Sequence, residues 1–198
     1  MCGRYLIDDE AYSDILMILY GTDKMSGMYS GATPIVARGE IFPTNFAPVI
    51  SAGGASAIKW GFPHWKGSNV IINARSETAL EKPTFRKSLL DRRCVIPSSG
   101  FYEWSRTGSN KKQKYLFREP DEQKLYMAGF WNEFKDSTGV AYNAFTILTT
   151  AANDCVAPIH DRMPVILSQD EQDYWINDLA FMQFALQRRG PELEAIVA

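Results

Sequence analysis

The chain has 198 residues, of which 45% are hydrophobic and 22% charged, and its formal net charge is −2. This is enough apolar material for one sizeable core, so a single domain spanning residues 1–198 is expected. No run of about 18 apolar residues occurs, and the N-terminal MCGRYLIDDE lacks the apolar stretch of a secretory signal, so a cytoplasmic protein without membrane spans is predicted.

The first predicted element is an amphipathic helix over residues 9–20. Ile15, Leu16 and Leu19 share its apolar side, and Gly21 follows as a stop signal. Residues 22–56 are rich in Gly, Pro, Ser and Thr, which predicts loops with short strands.

From residue 57 onward the pattern is typical of β-structure, because β-branched and aromatic segments alternate with polar breaks. The predicted strands are Ala57–Phe62, Asn69–Arg75, Cys94–Pro97, Gly100–Ser105, Lys114–Arg118, Leu125–Phe134, Ala141–Leu148 and Pro164–Leu167. Helices are expected at about Phe85–Arg92 and after Ser168, where Ser168 and Glu171 fit a capping box. The predicted strands and helices do not alternate regularly along the chain. This order predicts an α+β domain with a mainly antiparallel, barrel-like β core and flanking helices.

Basic residues are concentrated in the middle of the chain. From Lys59 to Arg118 there are 13 basic and 4 acidic residues, whereas the rest of the chain has 8 basic and 19 acidic residues. Such a block is a candidate footprint for a polyanion. An ordinary solvated face explains it equally well, and charge alone favours that explanation.

Cys2 is the first candidate for chemistry. The chain has three cysteines, which is an odd number, and only two histidines. A disulfide framework and a metal site are therefore not expected. Removal of Met1 would leave an N-terminal cysteine with an α-amine and a thiol on adjacent carbons. This pair captures aldehydes, since the amine forms an imine and the thiol then closes a five-membered thiazolidine ring. For a Met-Cys start alone, an incidental small residue is the commoner explanation.

Glu103 and His160 are candidates for proton transfer. Glu103 lies in a strand among Phe101, Tyr102 and Trp104, where desolvation suits a carboxyl group to proton transfer. Strand alternation places it on the face of Phe101, which does not decide whether that face is buried. His160 lies in a loop between two prolines, and a lone histidine is more often structural than catalytic.

Asn73 and Trp65 are two further candidates with ordinary alternatives. Asn73 ends the apolar run Val70–Ile72, so its amide either faces a site or closes a strand. Trp65 stands beside Lys66 in a predicted loop, where it either stacks on an unpaired base or plugs the loop.

Taken together, these segments resemble the SRAP (SOS response-associated peptidase) family. The resemblance covers residues 1 to about 167 and rests on five motifs in the family's order: Met1–Arg4, Trp60–Gly61, Asn73–Glu77, Gly100–Trp104 and His160–Pro164. Further matches are Pro43–Thr44, Lys82–Arg86, Arg93–Pro97 and Thr149–Thr150, whereas the last 30 residues match only as a generic helical tail.

The resemblance implies a monomeric α+β protein that binds single-stranded DNA at abasic sites, including junctions between single-stranded and double-stranded DNA. It implies a thiazolidine DNA–protein crosslink through the N-terminal cysteine, with no metal or organic cofactor. An associated abasic-site lyase or peptidase activity remains open, as does association with the nucleoid in a bacterium.

The resemblance also assigns roles to individual residues. Cys2 is the nucleophile, Asn73 holds the Cys2 amine and the opened sugar, Glu103 shuttles protons, and His160 assists opening of the deoxyribose ring. The implied DNA-binding residues are Arg4, Pro43, Trp65, Arg75, Arg86, Thr149 and Arg162, with the arginines neutralising phosphates.

Two other functions stay open on the residues alone. One is a cysteine peptidase or autopeptidase that uses Cys2, His160 and Glu103. The other is a non-catalytic nucleic-acid-binding module in which Cys2 is incidental. A purely structural protein is a third possibility: clustering of Asn73, Glu103 and His160 in one pocket with Cys2 would argue against it, and their separation would argue for it.

Overall fold

The computed structural model describes residues 2–20, 37–64, 67, 69–105, 112–120 and 124–198. In these ranges the elements, in chain order, are β1 (Arg4–Ile7), α1 (Asp9–Tyr20), β2 (Gly39–Ile41), β3 (Phe46–Ser51), β4 (Gly54–Trp60), β5 (Phe62–Pro63), β6 (Val70–Ile71), β7 (Asn73–Arg75), α2 (Pro83–Asp91), β8 (Arg93–Ser98), β9 (Gly100–Trp104), β10 (Lys114–Arg118), β11 (Leu125–Lys135), β12 (Ala141–Ala151), β13 (Arg162–Pro164), β14 (Ile166–Leu167), a 3-10 helix (Gln169–Glu171), α3 (Gln172–Asn177), α4 (Leu179–Gln187) and β15 (Glu194–Val197).

Five strands close a β-barrel in the order β12, β4, β3, β8 and β11, because β11 also pairs with β12. The pairs are antiparallel except β12 with β4, which is parallel, and β7 adds a second parallel partner to β12. Closure leaves the five core strands without a free edge. The mixed α+β class and the barrel-like core are thus confirmed.

A second sheet covers one side of the barrel, with its strands in the order β15-β10-β9-β1-β2. Its inward side chains, including Tyr5, Phe101 and Phe117, join Trp60 and Phe145 of the barrel in one core cluster. Tyr5 meets Trp60 edge-on with ring centroids 5.1 Å apart, a favourable geometry for an aromatic pair. The site described below lies between this sheet and the barrel.

The helices pack on the barrel through short apolar faces. In α1, which confirms the predicted helix over residues 9–20, Ala11 and Ile15 are buried, and Asp8 Oδ1 accepts a hydrogen bond from the Ala11 N–H at 2.9 Å. On the other side, Phe85 of α2 and Trp175 of α3 join a second core cluster. The predicted capping contact is present, since the Ser168 N–H donates to Glu171 Oε2 at 2.9 Å.

The structure differs from the sequence-based expectations at two places. Residues 194–197 form β15, so the helical tail is only partly right; pairing with β10 decides the conformation of this short segment. The predicted strand Asn69–Arg75 is interrupted at Ile72, whose carbonyl accepts a hydrogen bond from Trp60 Nε1 at 3.0 Å.

Among the described residues, no helix combines the length and the apolar character needed to cross a bilayer.

Candidate functional site

Cys2 is fully buried at the start of β1, between the outer sheet and the barrel. Its main chain is fixed by Asn73, whose Nδ2 donates a hydrogen bond to the Cys2 carbonyl oxygen at 2.8 Å. Asn73 is the first residue of β7, which is held in parallel register against β12. The barrel therefore positions the amide that holds the N-terminal segment.

Glu103 lies on the inward face of β9 with Phe101, so the structure settles the orientation that strand alternation leaves open. It is only 3% exposed. Its negative charge reaches Cys2, because burial first and then Glu103 raise the pKa of the Cys2 thiol well above its ordinary value. The thiol is therefore held in its protonated form at neutral pH in the chain that retains Met1.

His160 lies beside Glu103, with Nε2 3.8 Å from Glu103 Oε2. The Arg162 N–H donates to His160 Nδ1 at 3.0 Å, so a neutral His160 carries its proton on Nε2, which faces Glu103. Asp161 Oδ1 lies 3.1 Å from the same Nδ1, but its side chain is 70% exposed, so solvent screens this contact. The buried backbone contact therefore decides the tautomer.

The cavity next to Cys2 has a volume of about 420 Å³ and opens to solvent. Its described lining is formed by Gly3, Arg4, Glu103, Trp104, Lys112 and His160. Two proton-transfer groups at the floor and three cationic or aromatic side chains at the rim suit a small polar reactant attached to an anion. Glu103 and His160 thus line the cavity, whereas Cys2, held by Asn73, is buried next to Gly3 of the lining.

Arg162 is largely buried and pairs with Glu77, so its predicted phosphate contact stays a prediction. Its buried guanidinium donates to Glu77 Oε2 at 2.8 Å and to the Thr149 carbonyl oxygen at 2.6 Å. Through its two Nη atoms Arg162 ties the His160 segment to the turn after β7, while its buried Nε has no hydrogen-bond partner among the described residues. Thr149 is itself fully buried and contributes its backbone rather than an exposed side chain.

Arg4 lies at the cavity rim on the outward face of β1. Its Nη1 donates to Glu40 Oε1 at 2.9 Å, and its guanidinium stacks over Phe42 and Trp104 at 4.5 and 5.2 Å from the ring centroids. The half-buried Pro43 follows Phe42 in the turn between β2 and β3. Both predicted residues therefore lie at the same edge of the outer sheet.

The remaining predicted DNA-binding residues lie at different places. Arg75 is exposed at the end of β7, opposite Thr149 in the register of β12. Arg86 is exposed on α2, a helix that packs through Phe85 on the second core cluster rather than on the cluster that contains Cys2. Trp65 lies outside the described residues.

Four site residues were not singled out from the sequence: Glu40, Trp104, Lys112 and Lys114. Trp104 and Lys114 are opposite one another on β9 and β10. Strand alternation could have placed them with Arg4 on the outward face, but only the pairing of β1 with β9 shows that these strands are neighbours. No group of three potential metal-ligating side chains is found in the part of the chain that the structure describes.

Comparison with known proteins gives relatives along nearly the whole chain. The chain is 32% identical to the abasic site processing protein YoqW of Bacillus subtilis, over 94% of this chain and 87% of that protein. It is 33% identical to the abasic site processing protein YoaM of the same organism, over 89% and 79% of the two chains. For the abasic site processing protein HMCES of Xenopus tropicalis the identity is 32%, over 59% and 42%.

Solved structures show the same fold. A crystal structure of a Bacteroides thetaiotaomicron protein matches with a TM-score of 0.81 at 25% identity, over 99% of this chain and 91% of that one. A Bordetella bronchiseptica protein matches with a TM-score of 0.77 at 23% identity, over 100% and 99%. The family model for SOS response associated peptidase (SRAP) matches residues 1–189. The chain belongs to the SRAP family.

Proposed function

We propose that this protein captures abasic sites in single-stranded DNA, including those at junctions with duplex DNA, as a covalent adduct on Cys2. The observation that carries the proposal is the placement of Cys2 by Asn73 beside a cavity lined by Glu103 and His160. Relatives at 32% and 33% identity are named abasic site processing proteins, which supports the same substrate class here.

The reaction requires the removal of Met1, since the Cys2 nitrogen is otherwise an amide and not a nucleophile. The freed α-amine adds to the aldehyde carbon of the ring-opened deoxyribose, and loss of one water gives an imine. The Cys2 sulfur then adds to the imine carbon while its proton passes to the nitrogen. The product is a five-membered thiazolidine, formed with the loss of one water overall.

Glu103 is proposed to move the protons in these steps. Because burial and the nearby carboxylate keep the Cys2 thiol protonated, a base must accept the proton as sulfur attacks. The Glu103 carboxylate lines the cavity on that side. His160, with its proton directed at Glu103, is proposed to donate to the ring oxygen of the deoxyribose as the sugar opens.

Asn73 is proposed to orient the nucleophile. Its Nδ2 already holds the Cys2 carbonyl, and its buried Oδ1 has no hydrogen-bond partner within the described ranges. A buried amide oxygen of this kind is costly unless a donor reaches it. The α-amine released by Met1 removal is a donor on the same residue that Asn73 holds.

The DNA strand is proposed to follow the cavity rim. Arg4, Arg75 and Arg86 are proposed phosphate contacts, Pro43 and Trp65 proposed contacts to the sugar or bases, and Thr149 supports the rim through its backbone. We propose that Arg162 acts indirectly by fixing His160. The reaction as written needs no cofactor and a single copy of the chain.

Denaturing gel electrophoresis tests the proposal. The Met1-processed protein is mixed with a single-stranded oligonucleotide that contains one abasic site, and a heat-stable shifted band is expected. Cys2→Ala should abolish the band, whereas Cys155→Ala, which removes a partly exposed free thiol, should retain it. A band with undamaged DNA, or one that survives Cys2→Ala, contradicts the proposal.

The peptidase alternative makes a different prediction about the α-amine. Acetylation of the processed N-terminus blocks imine formation but leaves the thiol of Cys2 unchanged. We expect acetylated protein to give no adduct. Peptide turnover by the acetylated protein would favour the peptidase.

A further inference from the structure

Glu40 is a carboxylate placed between two cations, one of which, Arg4, lines the cavity. Arg4 Nη1 donates to its Oε1 at 2.9 Å, and Lys114 Nζ donates to its Oε2 at 2.8 Å. The three residues come from β2, β1 and β10 of the outer sheet. Each carboxylate oxygen thus accepts a hydrogen bond from one cation. Two oxygens of a DNA phosphate would bind the same two cations in the same way.

The same two cations lie among aromatic rings. Arg4 stacks between Phe42 and Trp104, and Lys114 Nζ lies 3.8 Å from the Tyr102 ring centroid. Alternating cations and aromatic faces form a surface suited to a single-stranded nucleic acid, with phosphates on the cations and bases on the rings. In the unbound protein the carboxylate of Glu40 binds these two cations.

Glu40 remains charged across the neutral pH range. Burial acts to raise the pKa of its carboxyl group, but hydrogen bonds and charge from Lys114 and Arg4 outweigh burial, so the pKa lies below its ordinary value. A phosphate that approaches Arg4 or Lys114 therefore meets a permanent negative charge at the same position.

The side chains of Arg4, Glu40 and Lys114 are partly exposed, which allows the two cations to exchange Glu40 for another anion. The Arg4 side chain is 39% exposed, that of Glu40 26% and that of Lys114 24%. The Arg162–Glu77 pair differs, because the Arg162 side chain is only 10% exposed and also holds a backbone carbonyl. Arg162 is locked, whereas Arg4 and Lys114 can turn from Glu40 to an incoming anion.

We propose that Glu40 is a specificity-determining residue that competes with DNA phosphates for Arg4 and Lys114 and so weakens the binding of undamaged strands. The inference rests on the proposed function, since it concerns the same DNA-binding rim. Phosphate contacts carry no information about the lesion and hold any strand equally well. A built-in competitor lowers this general affinity, and the lesion is then retained by the covalent bond to Cys2.

Glu40→Gln tests the inference, with Glu194→Gln as the matched control. Both substitutions remove one negative charge from the same sheet; Glu194 pairs with Arg118 at 3.2 Å on β15 and β10. We expect Glu40→Gln to lower the Kd for an undamaged single-stranded oligonucleotide about threefold to tenfold. The salt dependence of log K should steepen by about 0.7 for each additional phosphate contact.

The control and a second variant separate local competition from other effects. Glu194→Gln should leave both the Kd and the salt slope unchanged. Glu40→Asp keeps the charge and should bind undamaged DNA as weakly as the natural chain. If Glu40→Gln binds with an unchanged or weaker Kd and an unchanged slope while its melting temperature is preserved, the inference is overturned.

Adduct formation separates this inference from the proposed function. Glu40→Gln should lose more of its crosslinking rate than the natural chain when an excess of undamaged strand is added. Equal sensitivity to competitor contradicts the inference while the adduct itself still stands. No adduct from the natural, Met1-processed chain contradicts the proposed function, and the comparison of Kd values for undamaged DNA still decides the role of Glu40.

Discussion

Glu103 is the residue whose substitution separates chemistry from binding most cleanly. It is buried on the floor of the cavity, 3.8 Å from His160, whereas the cations of the rim lie on the outward face of the sheet. We expect Glu103→Gln to slow crosslinking by about 10²-fold or more, because an amide cannot shuttle protons. Single-turnover rates and the Kd for undamaged DNA measure the two effects, and equal losses in both would remove Glu103 from the chemistry.

The Glu77–Arg162 pair has a pH dependence that can be measured. The hydrogen bond from Arg162 outweighs burial and lowers the pKa of Glu77 below its ordinary value of 4.5. Its contribution to stability is therefore complete above pH 4.5 and is lost as the pH falls through the lowered pKa. We expect Glu77→Gln to destabilise the fold at neutral pH by about 1 kcal/mol, allowing for solvent screening of the half-exposed carboxylate.

Denaturant unfolding at a series of pH values tests this expectation. The difference in unfolding free energy between the natural chain and Glu77→Gln should shrink as the pH falls below 4.5. Glu194→Gln removes a more exposed carboxylate and should show a smaller difference. A difference that stays constant into acid would mean that the charge of Glu77 does not stabilise the fold.

Single residues could be predicted from the sequence as candidates, but not their partners. The motif around Glu103 indicates a carboxylate among aromatics, yet burial follows only from the packing of the outer sheet on the barrel. For Arg162, a basic residue beside His160 suggests phosphate binding, and the structure adds a contact with Glu77 that the sequence does not reveal. Residues 85 positions apart in the chain cannot be paired from spacing alone.

At the scale of elements, β11 and β12 depend on a close approach at Gly129. A Cβ added there would lie 2.6 Å from the Thr146 carbonyl oxygen, a backbone atom of the neighbouring strand that cannot turn away. We expect Gly129→Ala to cost about 1–3 kcal/mol through strain in the barrel. Thermal unfolding measures the loss.

Gly53→Ala in the turn between β3 and β4 is the matched control. An added Cβ there meets only the Ser51 side-chain oxygen, at 3.8 Å. Its melting temperature should be unchanged or slightly raised, because alanine restricts the unfolded chain. If both substitutions lower the melting temperature equally, the close approach of the strands at Gly129 is not the cause of the loss in stability.

Helices and strands with a clear hydrophobic pattern could be predicted from the sequence. Strands that depend on pairing with a distant strand could not. The helix over residues 9–20 and the strand Lys114–Arg118 have the predicted bounds, since local pattern and burial agree there. The strand β15 was missed because four residues at a sheet edge owe their conformation to β10. The two parallel pairings of β12 likewise depend on contacts distant in sequence.

At the scale of the whole molecule, the basic block between Lys59 and Arg118 is divided among several surfaces. Arg75 is exposed at the end of β7, whereas Arg93 donates to buried backbone carbonyls, among them that of Ile176 at 2.8 Å. We expect Arg75→Ala to weaken binding of single-stranded DNA and to flatten the salt dependence of log K by about 0.7. Arg118→Ala, beside the edge strand β15 of the outer sheet, is the control, and equal slopes for the two variants would exclude a phosphate contact by Arg75.

The fold class and the family could be predicted from the sequence, because the family motifs are local and keep their order along the chain. The charge pattern was not decisive, since it counts Arg93, which packs inside, together with Arg75, which faces solvent. The position of Glu40 at the rim was also out of reach, because it depends on the pairing of β2 with β1. A count of basic residues indicates a binding surface only when the fold shows which of them face solvent.

Intact mass spectrometry of the adduct is the most direct test of the central claim. The expected species has the mass of the chain without Met1 plus that of the abasic oligonucleotide, less one water, and it resists borohydride reduction because the imine has been closed by sulfur. An adduct that retains Met1, or one formed without loss of water, would contradict thiazolidine formation. Reduction of the natural chain's adduct by borohydride would contradict it as well, because an open imine would then remain on the α-amine of residue 2.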